Sequence, residues 1–152
     1  MTTTPEQAKG QTPTPSFAVK GQYIKDLSFE NPHSPQSLMV ATKPSIEVNV
    51  DLKAQKLQND AFEMVLHIVA RATADGNTMF LVDLSYAGIF QATGIPEDRI
   101  EPLIMIDCPF VLFPFARRVI ADITRDGGFP PLMLDPIDFH ALYMQNRARA
   151  AG

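Results

Sequence analysis

The chain has 152 residues, 45% of them apolar and 20% charged, the balance of one folded domain rather than of a disordered segment or two full domains. Its net charge of −4, with basic residues scattered apart from Arg117 and Arg118, leaves no patch for a phosphate backbone and argues against nucleic acid as a partner. The single cysteine, Cys108, rules out an intrachain disulfide. The first residues hold no apolar signal core, and no stretch nears the roughly 18 uninterrupted apolar residues of a membrane span, so a cytoplasmic protein without membrane insertion is expected.

In chain order, residues 1–16 carry Pro5, Gly10, Pro13 and Pro15, which reads as a mobile tail. From Phe17 to Glu30 apolar and polar residues alternate, with Phe17, Val19, Tyr23, Leu27 and Phe29 expected on one face and Lys20, Gln22, Asp26, Ser28 and Glu30 on the other. Pro32, Pro35 and Pro44 make residues 31–44 a long connection rather than a hairpin turn. A second strand follows from Ile46, Val48, Val50 and Leu52, and a third from Phe62, Met64, Leu66 and Ile68 against Glu63, His67 and Arg71. After a turn at Asp75, Gly76 and Asn77, a fourth strand sets Phe80, Val82, Leu84 and Tyr86 opposite Met79, Leu81, Asp83 and Ser85.

Four strands with one apolar face need a cover, and beyond residue 95 the period changes. Pro96, Glu97 and Asp98 open a short helix across residues 100–106, although Pro102 lies inside it. Leu112, Phe115, Val119 and Ile123 recur at helical spacing over 109–125, with Pro114 expected near the first turn or at a kink and Gly127-Gly128 as the stop. A last helix begins near Pro136, presents Phe139, Leu142 and Tyr143, and gives way to a flexible tail at 147–152. The expectation is therefore an α+β domain over residues 17–146, a four-stranded antiparallel sheet followed by two or three C-terminal helices.

Chemistry is hard to place on this frame. His33, His67 and His140 share no motif, and CxxC, HExxH, EF-hand, Walker and GxGxxG patterns are absent, so no catalytic residue, metal or cofactor is expected. Cys108 precedes Pro109 at a helix start, where the helix dipole can lower a thiol pKa. A buried structural cysteine is the more frequent case; a small thiol enzyme is one alternative function, and a purely structural oligomer is another. Phe110, Phe113, Phe115, Phe129, Met133, Phe139, Tyr143 and Met144 are many for so short a chain, and they fit equally a core with several aromatics or a groove or interface between subunits. Asp26 and Glu30 fall about 13 Å apart on one side of the first strand, with Leu81 and Asp83 on the same side of the fourth. On the residues alone this is a solvated sheet face or, with its exposed leucine, a docking surface for a basic partner.

Four runs carry a resemblance: Tyr-Ile-Lys-Asp-Leu-Ser-Phe-Glu-Asn-Pro at 23–32, Gly-Ile-Phe at 88–90, Cys-Pro-Phe-Val-Leu-Phe-Pro-Phe-Ala-Arg at 108–117, and Gly-Phe-Pro-Pro-Leu-Met-Leu-Asp-Pro-Ile-Asp-Phe at 128–139. In these runs and their order the chain resembles SecB, the bacterial protein-export chaperone family. The resemblance implies a homotetramer, a dimer of dimers with helices between two sheets. It would hold unfolded precursor proteins without ATP or cofactor and deliver them to the export motor SecA. It also implies SecA docking at Asp26, Glu30, Leu81 and Asp83, tetramer contacts at Val82, Leu84 and Tyr86, and a client groove among Phe80, Phe90, Phe110, Phe113, Phe139 and Tyr143. Residues 39–44 lack the tryptophan that the family often has ahead of the second strand, and the N-terminal tail is longer and richer in proline than in well-known members.

Overall fold

The computed structural model describes residues 14–151. Period-two alternation produces the strands β1 (Ser16–Glu30), β2 (Ser45–Lys56), β3 (Ala61–Ala74) and β4 (Asn77–Thr93). They form one antiparallel sheet in the order β1-β4-β3-β2, so the two edge strands are consecutive in the chain. Residues 31–44 must therefore cross from one edge to the other. They do so past the β3–β4 turn, where Asp75 and Gly76 both take positive φ, as a tight two-residue hairpin requires.

The inner face of β3 and β4 is as the alternation predicts: Met64, Leu66, Ile68, Val82, Leu84 and Phe90 are fully buried. β1 departs from its simple alternation. Bulges between Val19 and Gly21 and between Ile24 and Asp26 put Lys20 and Lys25 out of register. The intervening residues change sides, so Gln22 reaches the Tyr86 hydroxyl on the inner face, while Tyr23 lies on the outer face against Glu63. Beyond the second bulge the expected phase returns, with Leu27 and Phe29 packed against the core.

Residues 97–126 make one helical run: α1 (Glu97–Pro102), a π-helical segment (Leu103–Asp107) and α2 (Cys108–Asp126). Pro102, Pro109 and Pro114 lack N–H donors and crowd the carbonyl four residues back. The wider π turn, in which the Cys108 N–H donates to the Leu103 carbonyl, takes up that misfit ahead of Pro109. α2 does not bury the expected stripe. Its core face is Leu112, Phe113, Ala116, Ile120 and Thr124, while Phe115 is exposed and Val119 and Ile123 are half-buried. The helix thus has two apolar faces, and the sheet satisfies only one.

α3 (Phe139–Ala151) starts at Asp138, whose carboxylate accepts the Ala141 N–H at 3.0 Å. It continues to Ala151, so the tail expected from residue 147 is helical as far as that residue. Of the tail expected at residues 1–16, residues 1–13 lie outside the described residues, and β1 begins at Ser16.

Two aromatic groups close the ends of the core. Phe90 stacks on Phe17 at 5.4 Å and Phe62 at 5.8 Å; ten residues back along β4, Phe80 lies 6.1 Å from Phe29 and 5.0 Å from Phe129.

Candidate functional site: an apolar cleft and an acidic face

Where the crossover passes the β3–β4 turn, it does not close onto the sheet. Residues 37–44 form one wall of a cavity of about 450 Å³, residues 128–132 form the other, and Ile46, Met79 and Phe80 lie between them. A bulge between Ala72 and Thr73 leaves Met79 without a register partner, which lets Met79 and Phe80 both turn inward. Each wall is pinned. On the crossover, the Ser37 N–H donates to the His33 carbonyl at 2.8 Å, and the Ser37 hydroxyl to the Asn31 side chain at 2.6 Å. On the other side, the buried Thr124 hydroxyl donates to the Ile120 carbonyl at 2.8 Å and accepts the Leu132 N–H at 2.9 Å.

Gly127 sets how closely the end of α2 approaches β1, and Gly128 how closely the two walls approach. A Cβ at Gly127 would meet the Phe29 ring at 2.3 Å, and one at Gly128, where φ is +94, would meet Leu38 at 2.9 Å. Leu38 and Met39 are exposed at the rim, and Ile46 and Val48 extend the apolar surface along β2. The cleft is lined mainly by aliphatic, methionine, phenylalanine and proline side chains. It suits an extended apolar segment and has no fixed polar code to read one.

The outer face of the sheet is different in kind. Asp26 pairs with Ser85, Glu30 with Leu81 and Ser28 with Asp83, so Asp26, Glu30, Leu81 and Asp83 share one face across β1 and β4, as the alternation predicts. Beside them His67 meets Asp83 at 2.7 Å, and Arg71 pairs in register with Leu81 and Glu47. At the other end of the face Lys25 binds Glu63 at 2.7 Å and the Tyr23 hydroxyl donates to the same carboxylate. The Lys25 and Tyr23 hydrogen bonds hold Glu63 below the usual carboxylate range; burial, with Glu63 beside it, pushes Tyr23 up to about 12.

The other expected residues fall elsewhere. Val82 and Leu84 are fully buried beneath the helices, and Tyr86 stacks on Phe115 at 6.4 Å, so these three support α2 from within the subunit. Among the six aromatic residues expected at the client groove, Phe80 alone lines this cleft. Phe90 closes the opposite end of the core, Phe113 packs edge-on against Phe139 at 6.1 Å, and Tyr143 is buried. Phe110 is 69% exposed near the start of α2. The cleft residues that sequence reasoning missed are Leu38 and Val40, for which the available signal was apolar residues inside a proline-rich connection, and Met79, expected on the outer face of β4.

Cys108 is fully buried, and burial, reinforced by Asp107, pushes its thiol well up rather than down. The helix start expected to activate it is the middle of a continuous run, so its amide is already bonded to Leu103 and the dipole argument fails. Among the described residues, no group of three or more His, Cys, Asp or Glu side chains is placed to hold a metal ion, and no helix is long and apolar enough to cross a membrane.

An α+β subunit with an open apolar cleft at one end of its sheet and an acidic opposite face belongs to the class of protein-binding scaffolds. The particular family follows from most of the sequence: the model for the SecB family, "Preprotein translocase subunit SecB", matches residues 10–150. The protein-export protein SecB of Parvibaculum lavamentivorans is 53% identical over 137 residues, 90% of this chain and 82% of that one. That of Afipia carboxidovorans is 47% identical over 150 residues, 98% and 92% of the two chains. This chain belongs to the SecB family of protein-export chaperones. A SecB-like chaperone of Mycobacterium tuberculosis, solved in complex with a ChAD peptide from an antitoxin, shares the fold with a TM-score of 0.66 at 14% identity, over 80% of this chain and 90% of that one. The thiol-enzyme alternative finds no support in these relationships.

Proposed function

We propose that this chain holds unfolded precursor proteins in extended form, with the cleft between residues 37–44 and 128–132 as a principal binding site, and passes them to SecA. The observation that carries the reading is the cleft itself: about 450 Å³ of apolar, methionine- and phenylalanine-lined space held open by pinned walls. Apolar side chains of the client fill it, and the free edge of β2 beside Ile46 and Val48 offers main-chain hydrogen bonds to an extended strand. Holding of this kind needs no nucleotide and no cofactor, because affinity comes from many weak contacts and release from a competing partner.

The acting form is a homotetramer, a dimer of dimers, in the cytoplasm. Support comes from the second apolar face of α2, where Phe115 lies half exposed beside the half-buried Val119 and Ile123. Helices packed between two sheets would cover that face, and Val82, Leu84 and Tyr86 act on assembly by fixing α2 from below. Asp26, Glu30, Leu81 and Asp83 form the SecA docking face, on the side of the sheet away from the helices. The test is suppression of aggregation of an unfolded precursor by the purified chain without nucleotide. Leu38→Asp, at a half-exposed rim position, is expected to weaken holding at least tenfold with the fold intact; unchanged holding would place the client elsewhere.

A further inference from the structure

The acidic face is not uniformly acidic. His67 stands inside it, with Nε2 2.7 Å from a carboxylate oxygen of Asp83 and both side chains about 40% exposed. The pair is therefore formed in the free subunit and stays within reach of a partner. Its surroundings lean negative: on β2, Asp51 is the register partner of His67, flanked by Asn49 and Lys53. On β4, Ser85 is the register partner and Asp83 the next residue on that face, and β1 adds Asp26 opposite Ser85. Along β3 itself, Glu63 and Arg71 lie four residues to either side, and Glu63 is engaged by Lys25.

We propose that His67 is a positioning residue of the docking face: as a neutral ring it orients the Asp83 carboxylate toward a cationic group of the partner, and as a cation it neutralises that carboxylate and weakens docking. The two states follow from one geometry. A neutral Nε2–H takes one lone pair of Oδ1 and leaves the other oxygen free for the partner. A protonated ring adds a positive charge in the middle of the face, and the partner's cation must then displace an ion pair already made. The proposal rests on the docking role assigned above to Asp26, Glu30, Leu81 and Asp83.

The experiment is titration of fluorescently labelled SecA with the full chain at low salt, from about pH 8 to about pH 6. The original chain should lose about fivefold in affinity across that range, the ratio corresponding to an exposed ion pair of about 1 kcal/mol. His67→Ala should bind more weakly at the alkaline end. His67→Gln, which keeps a neutral N–H donor at the same reach, should recover part of that loss and give a flat pH profile. If His67→Gln loses affinity with acid as steeply as the original chain, the proposal is overturned while the docking reading stands. If Asp26→Asn combined with Glu30→Gln leaves SecA affinity unchanged at about pH 8, the docking reading itself fails, and the proposal with it.

Discussion

Replacing Gly127 by alanine isolates the close approach of the end of α2 to Phe29, whose ring packs on the cleft residues Phe80 and Phe129. The backbone imposes no penalty, because Gly127 has φ −76, a helical value open to any residue. The cost is steric: the new methyl would lie 2.3 Å from Cζ and 2.5 Å from Cε1 of Phe29. The ring cannot simply swing aside, since Phe80 and Phe129 pack against it with centroids 6.1 and 6.4 Å away. Overpacking of this kind costs about 1–3 kcal/mol. The lower unfolded-state entropy of alanine returns about 0.4–1 kcal/mol, leaving a net loss of about 1–2 kcal/mol. For a domain of this size that is a fall in Tm of about 3–6 °C. Because Phe29 and Phe129 move together, the wall at 128–132 should shift and client affinity fall as well. Differential scanning calorimetry and titration with an unfolded precursor read the two effects. Gly21→Ala is the control: a Cβ there has nothing within 4 Å, so it should be neutral or stabilising by up to about 1 kcal/mol. A Gly127→Ala variant as stable as the original, with unchanged client affinity, would refute the reasoning.

Other expectations follow from the same coordinates. Gly88→Ala, whose Cβ would meet Leu112 at 2.8 Å, should lift α2 from the sheet and lower stability by about 1–3 kcal/mol in urea unfolding. Cys108 should resist iodoacetamide at about pH 8 in the folded protein and react on unfolding, because its raised pKa keeps the thiol protonated. Cys108 and Tyr23 both have folded pKa values raised above their unfolded 9.0 and 10.0. Their contribution is complete below those values and is lost as pH rises, so Tm should begin to fall above about pH 9. Glu63 has the opposite sign: its lowered pKa stabilises the fold above its unfolded value of 4.5 and that contribution is lost as pH falls through the folded value, an acid-side loss that Lys25→Met should reduce. Phe115→Ser should shift the solution mass seen by light scattering toward smaller assemblies.

The sheet was legible because its strands repeat with period two and one face is buried, and the set Asp26, Glu30, Leu81 and Asp83 was legible for the same reason. Both β1 residues lie beyond the second bulge, where the alternation runs undisturbed. Tyr23 and Gln22 were misplaced because each lies between two bulges, and a bulge leaves no mark in hydrophobic periodicity. The face of α2 was misjudged for a related reason. Leu112, Phe113, Phe115 and Val119 cover more than one stripe, and only the position of the sheet decides which stripe is core. The cleft was hidden because its walls are two connections about ninety residues apart in the chain, and loops have no period to extrapolate. Family resemblance supplied the idea of a groove; of the aromatic residues it implied, Phe80 lines the cleft, Phe110 is exposed on α2, and Phe90, Phe113, Phe139 and Tyr143 are buried.

The central claim is that extended client chain occupies the cleft between the crossover and the segment after α2. Site-specific photo-crosslinking addresses it directly: a benzophenone side chain is placed at Leu38 on the rim and, separately, at Val69 on the outer face of the sheet, and each protein is irradiated with an unfolded precursor. The account predicts strong adducts from position 38, lost when the precursor is allowed to fold first, and few from position 69. Adducts of equal yield from both positions, or more from position 69, would contradict it.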